Sequence, residues 1–335
     1  MKVYELHARE GLDAVTRTER PTPKVGPGQA RVRVRAASLN YRDLVIARGS
    51  AKRSRPIIPL SDGAGEVVEV GAGVTEVAVG DRVAGSFFPT WIDGELSDEH
   101  HAAALGGGWD GMLAEEVVLP ASAWVKLPEH LSFEEGATLP CAALTAYHAL
   151  YEAGRLRPGD TVLVQGTGGV SIFALQMAKA SGARVVLTTS TEAKADRARS
   201  LGADHVLLYP TTPNWGEQAR AWTGGRGVDI AVEVGGAGTF DQSALSLRYG
   251  GTMGLIGVLT GTKGTLNTYT LIHRSLHVAG IYVGSVAMFE AMNRALSASK
   301  IHPIVDRVFA FDEARAAYEH MASGQHFGKV VIRVD

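Results

Sequence analysis

The sequence predicts a two-domain α/β protein, in which a β-rich first domain precedes a doubly wound domain built on a parallel sheet. The chain has 335 residues, which exceeds the size at which one hydrophobic core keeps growing. Its first third consists of short alternating segments separated by glycine and proline. After about residue 125, apolar runs alternate with helix-like segments, a pattern that indicates βαβ units.

The first domain is predicted to contain antiparallel strands that are buried on one face. In the stretch RVRVR, residues 31–35, valines alternate with arginines, which suits a half-buried strand. Glycine-bounded segments at 65–73 and 80–85 and the run 117–126 continue the pattern. We therefore expect an all-β, barrel-like domain.

The second domain is predicted to alternate strands with helices. The predicted strands are 161–165, 184–188, 205–208, 230–234, 253–258 and 278–283, and the predicted helices are 170–181, 192–201, 215–222 and 240–247. Two more helices (287–299 and 313–323, with Gly324 as C-cap) and a last strand, 329–334, exceed what this sheet needs. We expect them to return to the first domain, which gives domains of 1–124 with 285–335, and 125–284.

Composition and charge exclude several classes of partner. There are 33 basic and 35 acidic residues, so the chain offers no basic surface for nucleic acid or an anionic membrane. No apolar run approaches the ~20 residues of a membrane span, and the first residues lack a signal-peptide pattern. The single cysteine excludes an intrachain disulfide. We expect a cytoplasmic protein that acts on a small molecule.

The strongest local motif is DTVLVQGTGGVS, residues 160–171. A predicted strand ends before the glycines and a helix follows them, so the backbone could approach a pyrophosphate at the helix N-terminus. Ser171 stands where the usual spacing has a third glycine, and it is small enough to keep the helix close to the strand. The motif predicts dinucleotide binding, with a purely structural turn as the alternative. The predicted contacts are Gly166, Thr167, Gly168, Gly169 and Val170.

The end of the second predicted strand indicates NADP(H) in preference to NAD(H). Residues 187–194 read LTTSTEAK, with hydroxyls where an NAD-selective site normally carries a carboxylate. Hydroxyls and an ammonium would hold a 2′-phosphate, which a carboxylate would repel. Ser190, Thr191 and Lys194 are the predicted contacts. In the alternative, Glu192 holds the ribose of NAD(H) and Lys194 is a solvated helix lysine.

Several motifs recur in a specific order along the whole chain. They are SLNYRDL at 38–44, PLSDGAGEVVEVGAGV at 59–74, GDRV at 80–83, LPCAALTAY at 139–147, the glycine loop at 166–171, ARSLGADHVL at 198–207 and HFGKVVI at 326–332. Together they resemble the medium-chain dehydrogenase/reductase superfamily, in its zinc-independent, quinone oxidoreductase-like branch. The resemblance implies a GroES-like β-barrel domain completed by the C-terminal tail, an inserted Rossmann domain, and a homodimer formed through sheet edges.

The resemblance also bears on metal binding. By local matching, Asn40, Ser61 and Cys141 occupy the positions of the catalytic-zinc ligands in the family's zinc enzymes. One soft ligand without its partners cannot make a tetrahedral site, so we expect no zinc and a packing role for Cys141, with a thiolate nucleophile as the alternative. The run DEHH, 98–101, is another candidate for metal binding, but we expect it to be solvated.

Matching to the family predicts the remaining site residues. Asn40 and Tyr41 are expected to donate hydrogen bonds to a substrate carbonyl, with a packing aromatic at a strand end as the alternative for Tyr41. Asp43 is expected to complete the catalytic group by orienting its neighbours or bracing the loop. The residues expected to line the substrate are Ser61, Asp62, Trp91 and Trp109. The further expected cofactor contacts are Thr145, Gly235, Gly257, Val258 and Phe327.

These observations predict an NADPH-dependent, zinc-free oxidoreductase that transfers hydride to quinones, enones or related activated carbonyl compounds. An enoyl-thioester reductase is the alternative within enzymes, and Lys52, Arg53 and Arg55 would supply its basic rim. A non-catalytic NADP(H)-binding protein, of sensor or crystallin type, is the alternative outside enzymes. Turnover of any acceptor would separate the two classes.

Overall fold

The computed structural model describes residues 1–9, 11–49 and 55–334. Its strands are β1 Lys2–Leu6, β2 Val15–Glu19, β3 Gln29–Leu39, β4 Asp62–Val70, β5 Arg82–Gly85, β6 Glu116–Pro120, β7 Trp124–Lys126, β8 Thr161–Gln165, β9 Arg184–Thr189, β10 His205–Leu208, β11 Val228–Glu233, β12 Leu247–Leu255, β13 His277–Gly280, β14 Val305–Phe309 and β15 Lys329–Arg333. Its α-helices are α1 Tyr41–Arg48, α2 Asp98–Ala102, α3 Phe133–Gly136, α4 Leu144–Tyr147, α5 Gly169–Ala180, α6 Glu192–Ser200, α7 Trp215–Trp222, α8 Phe240–Ser246, α9 Thr268–His273, α10 Val286–Ser299 and α11 Ala314–Ala322.

The chain forms two compact units. The first comprises Met1–Leu144 and Val283–Asp335, and the second comprises Thr145–Tyr282. The C-terminal tail belongs to the first unit. The first boundary falls later than the predicted 124/125, because β7 pairs with β5 and α3 packs on β3 and β4 of the same unit.

A seven-stranded sheet dominates the described part of the first unit. Its order is β14-β15-β3-β4-β5-β7, and β6 also pairs with β3. The central strand β3 alternates as predicted, since Val32 and Val34 are buried while the arginines between and beside them are not. Antiparallel pairing places Val330 of β15 opposite Leu39 and Asp62 of β4 opposite Ser38, so the ends of three strands converge.

The second unit contains a six-stranded parallel sheet within the described residues. Its order, β10-β9-β8-β11-β12-β13, is the doubly wound arrangement in which the strand order reverses between the first and fourth strands. Here those strands are β8 and β11. Ligands of such sheets bind outside the carboxyl ends of the strands at this switch point.

The predicted two-domain α/β fold is therefore confirmed. Among the helices of residues 1–9, 11–49 and 55–334, none combines the length and the apolar character needed to cross a bilayer.

Candidate active site and cofactor site

The converging ends of β3, β4 and β15 assemble a polar group in the first unit whose members are buried except for the partly exposed Cys141. We call Asn40, Ser61, Asp62, Cys141 and Lys329 the polar cluster. Four of these residues were singled out in the sequence, and Lys329 was not. Pairing of β15 with β3 brings Lys329 beside Asn40, although the two are 289 positions apart in the chain.

Lys329 fixes the amide of Asn40. Its side chain is almost fully buried, and Nζ donates to Leu39 O at 2.7 Å and to Asn40 Oδ1 at 2.6 Å. Because an ammonium carries donors only, the amide atom that faces it must be the oxygen. The Nδ2 group is therefore turned away from Lys329 and lies 3.4 Å from Ser61 Oγ. Asn40 is held as a hydrogen-bond donor.

Asp62 is the anionic centre of the polar cluster. Its Oδ1 accepts from Ser61 Oγ at 2.6 Å, and its Oδ2 accepts from the backbone N–H of Cys141 at 3.1 Å. Burial raises the pKa of Asp62, while Lys329 and hydrogen bonds from Ser61, from the Asn40 side chain and from Cys141 N oppose the rise. The nearest contact between the two charges, from Lys329 Nζ to Asp62 Oδ2, is 3.9 Å. Ser61 and Asp62, predicted to line the substrate, are thus brought together with both side chains fully buried.

The environment of Cys141 favours a protonated thiol. Desolvation and the nearby carboxylate of Asp62 both raise the pKa of the thiol above its usual range. A reactive cysteine needs the opposite shift, since the thiolate is the nucleophile. The geometry thus favours the predicted packing role.

The polar cluster does not fit a zinc ion. The carbonyl oxygen of Asn40 is engaged by an ammonium, whose charge would repel a metal cation, and Ser61 Oγ donates to Asp62. Of the three positions matched to zinc ligands, only Cys141 carries a residue type that zinc enzymes commonly use, and both oxygens of the neighbouring Asp62 already accept hydrogen bonds. Within the described residues, no group of three histidines, cysteines or carboxylates is placed to hold a metal ion, and this includes residues 98–101.

Asp43 joins the polar cluster to helix α1. Its Oδ2 accepts from the backbone N–H of Asn40 at 2.7 Å, which caps the first turn. Oδ1 is buried and has no hydrogen-bond partner in the described part of the chain, and the nearest guanidinium nitrogen of Arg42 lies 4.0 Å away. Burial raises the pKa of Asp43 to about 6. Asp43 therefore holds Asn40 in place through the backbone, and its role in catalysis remains a prediction.

The other residues predicted near the substrate have diverse surroundings. Tyr41, the first residue of α1, is 39% exposed, and Trp109 is similarly exposed. Trp91 is buried, and its Nε1 donates to Gly94 O at 2.9 Å. Roles for these three residues remain predictions.

The glycine loop of the second unit forms an open cradle. Gly166 has φ +70° and donates its N–H to Thr188 O at 2.7 Å, and Gly168 immediately precedes α5. A Cβ at either glycine would meet no atom within 4 Å, so the space above the backbone is free for a ligand. Ser171 Oγ donates to Gln165 O at 2.6 Å, which ties the helix to β8 in place of a third glycine. These residues fit a pyrophosphate.

The start of α6 presents the residues predicted to select the cofactor. Thr191 Oγ1 accepts from the backbone N–H of Lys194 at 3.3 Å and thereby begins the helix, directly after Ser190. The carboxylate of Glu192 lies 3.2 Å from Arg199 NH1, along the same helix. Both side chains of this pair are exposed, and the choice between 2′-phosphate contacts and ribose binding by Glu192 remains a prediction.

Sequence reasoning missed Glu233, the last residue of β11. Its carboxylate is fully buried at the switch point and forms no ion pair with any described residue. Oε1 accepts from Gly235 N at 2.7 Å, Gly236 N at 2.9 Å and Thr239 Oγ1 at 2.7 Å, and Oε2 accepts from Gln165 Nε2 at 2.6 Å and from Ser243 Oγ. The signal was available, since a charged residue interrupts the apolar run IAVEV just before two glycines.

The remaining predicted cofactor contacts are small or buried. A Cβ at Gly257 would lie 1.7 Å from Val234 O, so only glycine fits there. Thr145 is buried and Val258 is exposed. Phe327, in the first unit, is fully buried and donates its N–H to Asp306 Oδ1 at 3.1 Å. Contacts of these residues with the cofactor remain predictions.

The basic rim considered for a thioester carrier lies mainly outside the described residues, which exclude Lys52 and Arg53. Arg55 is exposed, and its NH1 lies 3.8 Å from Asp110 Oδ1.

Comparison with protein-family models and known proteins gives consistent matches. Residues 26–129 match the alcohol dehydrogenase GroES-like domain, and residues 169–298 match the zinc-binding dehydrogenase model. A zinc-type alcohol dehydrogenase-like protein of Schizosaccharomyces pombe is 43% identical over 342 residues, which cover 99% of both chains. The acryloyl-coenzyme A reductase of Metallosphaera sedula is 31% identical over 92% of this chain and 93% of its own. The 2-haloacrylate reductase of a Burkholderia species is 30% identical over 98% and 97%.

Solved structures show the same fold over the whole chain. A putative alcohol dehydrogenase from Sinorhizobium meliloti is 39% identical and covers 99% of both chains, with a TM-score of 0.92. A mycobacterial protein solved in complex with NADPH is 28% identical and covers 100% of both chains, with a TM-score of 0.83.

Proposed function

Because this chain belongs to the medium-chain dehydrogenase/reductase superfamily, we propose that it is an NADP(H)-dependent, zinc-free reductase of C=C bonds conjugated to a carbonyl, as in enones and quinones. The observation that carries the proposal is the buried ammonium on Asn40 Oδ1. It orients the amide with its NH₂ group away from the ammonium, and its charge opposes a metal ion at the matched positions. A cytoplasmic homodimer is part of the proposal.

Residues of the second unit support the proposed preference for NADP(H). The open cradle of Gly166 and Gly168 would hold the pyrophosphate at the start of α5, and Thr191 and Lys194 would hold the 2′-phosphate. The relative solved with NADPH supports this preference. When bound, the reduced cofactor supplies a hydride.

Reduction of a conjugated C=C bond suits the donors of the first unit. Hydride addition to the electron-poor carbon develops negative charge on the carbonyl oxygen, which hydrogen-bond donors can stabilise without a Lewis acid. Asn40 Nδ2 is such a donor, and Tyr41 Oη, at the exposed start of α1, is a second. A saturated alcohol is a poorer substrate for this chemistry, because no group in the polar cluster would acidify its hydroxyl.

The names of two relatives, an acryloyl-coenzyme A reductase and a 2-haloacrylate reductase, favour the same class of acceptor, since acrylates carry a C=C bond next to a carbonyl. One of these names also specifies a coenzyme A thioester, which supports the enoyl-thioester alternative. The two candidates share the reaction and differ in the carrier.

The test is NADPH consumption with a trans-2-alkenal and with an enoyl-coenzyme A, with the products identified by NMR and the assay repeated with NADH. We expect the saturated aldehyde and faster turnover with NADPH. Asn40→Ala and Tyr41→Phe should each lower kcat by about 10²-fold, the usual loss for one oxyanion donor. An allylic alcohol as product, stoichiometric metal in untagged protein, or both variants within about threefold of the parent would contradict the proposal. A strong preference for the coenzyme A ester would select the thioester alternative.

A further inference from the structure

Burying the ammonium of Lys329 in the polar cluster costs free energy. Lys329 is 2% exposed, and removing an ammonium from water is unfavourable unless hydrogen bonds or a close ion pair compensate. Two acceptors, Leu39 O and Asn40 Oδ1, engage Nζ directly. The Asp62 carboxylate lies at 3.9 Å, beyond hydrogen-bond distance, so compensation through the ion pair is incomplete.

The ammonium acts on Asn40 in two ways. It determines which end of the amide faces Lys329, since only the oxygen can accept from an ammonium. It also polarises the amide: a charge-assisted hydrogen bond of 2.6 Å to Oδ1 draws electron density from Nδ2 and makes its N–H groups stronger donors. Both effects strengthen donation by Nδ2, which also faces Ser61 Oγ at 3.4 Å and the Asp62 carboxylate, so a substrate oxygen competes with these two groups.

We propose that Lys329 is a positioning residue that keeps Asn40 oriented and polarised as an oxyanion donor. The buried ammonium would then supply the electrostatic stabilisation that a metal ion could have supplied, and for which the polar cluster lacks the ligands. The inference rests on the proposed function, because the anion in question is the enolate or quinol oxygen. It adds a residue and a physical cause to that function.

A purely structural role is the competing explanation. Through Leu39 O, Lys329 also ties β15 to the end of β3, so its loss would weaken the sheet whatever the chemistry. A structural anchor would lower stability without a specific dependence on Asn40. A positioning residue acts through Asn40 and loses its effect when that amide is absent.

The test uses Asp62→Asn/Lys329→Met, which removes both charges together and avoids leaving an unpaired buried carboxylate, with Asp62→Asn as its reference. If Lys329 positions Asn40, kcat with the alkenal should fall by about 30-fold or more relative to the reference, while the Kd of NADPH changes by less than about twofold. In an Asn40→Ala background, the same Lys329→Met change should alter kcat by less than about threefold. Lys126→Met is the matched control, since Lys126 is an exposed lysine of the same unit that pairs with Asp81 at 2.9 Å.

The inference is overturned if the folded double variant keeps kcat within about threefold of its reference, or if the two losses multiply in the Asn40→Ala background. If the parent reduces no acceptor, the proposed function fails, and the inference is then decided by ¹⁵N NMR of the Asn40 side-chain amide, identified by its absence from Asn40→Ala. A shifted and faster-exchanging amide in the double variant would support positioning by Lys329, and an unchanged amide would refute it.

Discussion

At the scale of single residues, burial and charge conflict most directly at Asp43. The carboxyl is almost fully buried, and only one of its oxygens has a hydrogen-bond partner among the described residues. Desolvation disfavours the charged form, and the partial compensation from Arg42 and from the backbone of Asn40 leaves the pKa at about 6. The capping of α1 is thus performed by a group that is costly to ionise.

This conflict predicts how stability depends on pH. Asp43 keeps its proton to about pH 6 in the folded protein but ionises near 3.8 when unfolded, so between these values the folded state binds more protons. Raising the pH from 4 to 7 should therefore lower the free energy of unfolding, through this group, by about 2 to 3 kcal/mol. Asp43→Asn lacks the titration and should gain thermal stability relative to the parent as the pH rises. Thermal melts at intervals between pH 4 and 8 measure the difference, with Asp13→Asn, an exposed carboxyl of the same unit, as control. A constant difference across this range would show that Asp43 does not titrate there.

At the scale of elements, the second unit was the more predictable because buried parallel strands carry continuous apolar runs. Strands 161–165 and 205–208 and helix 215–222 have the predicted bounds. Strand β12 begins at Leu247 instead of 253, since its first half, LRYGG, is not an apolar run. Helix α9 was not predicted, because it is short and buries no side chain that would give an apolar stripe.

Local sequence patterns predicted only some of the residues in the candidate site. Motifs pointed to Asn40, Ser61 and Cys141, which lie within recognisable segments. Lys329 and Glu233 were missed because their roles depend on partners brought close only by sheet pairing: β15 with β3, and β8 with β11. A lysine at the start of a buried strand and a glutamate at the end of one are the signals that deserve weight in similar sequences.

Glu233 connects the ends of β8 and β11 by hydrogen bonds, and this leads to a prediction for its substitution. Its carboxylate accepts from both sides of the switch point, and it shapes the turn through Gly236, whose φ is +96°. In Glu233→Gln, the NH₂ group of the new amide faces groups that donate hydrogen bonds to the carboxylate in the parent, whichever way the amide is oriented. This lowers the free energy of unfolding by about 1 to 3 kcal/mol. We expect a lower melting temperature and a roughly tenfold rise in the Kd of NADPH, which a shift of about 1.4 kcal/mol would produce.

Fluorescence titration of NADPH together with thermal melts checks this prediction. Glu217→Gln, on the exposed face of α7 in the same unit, is the matched control and should change neither quantity. A lower melting temperature with unchanged affinity would restrict Glu233 to a structural role.

At the scale of the whole molecule, the second unit leaves a sheet edge uncovered within the described residues. Strand β13 pairs with β12 on one side only, and its Val278 is 40% exposed. Ile272, on the neighbouring helix α9, and Tyr282, just after the strand, are also exposed. An open strand next to exposed apolar side chains is a template for pairing with another chain.

We therefore propose that two copies pair through β13, and we expect a particle of about twice the 35.4 kDa chain mass by light scattering. Two-fold pairing would place each copy's β13 against the other's, so one substitution acts twice at the interface. Val278→Lys, and more strongly Val278→Lys/Ile272→Lys, should shift the mass to that of the monomer, since lysines block edge-to-edge pairing. Val79→Lys introduces the same charge at an exposed valine of the first unit and should leave the mass unchanged. A monomeric parent, or a dimer that survives both lysines, would remove β13 as the interface.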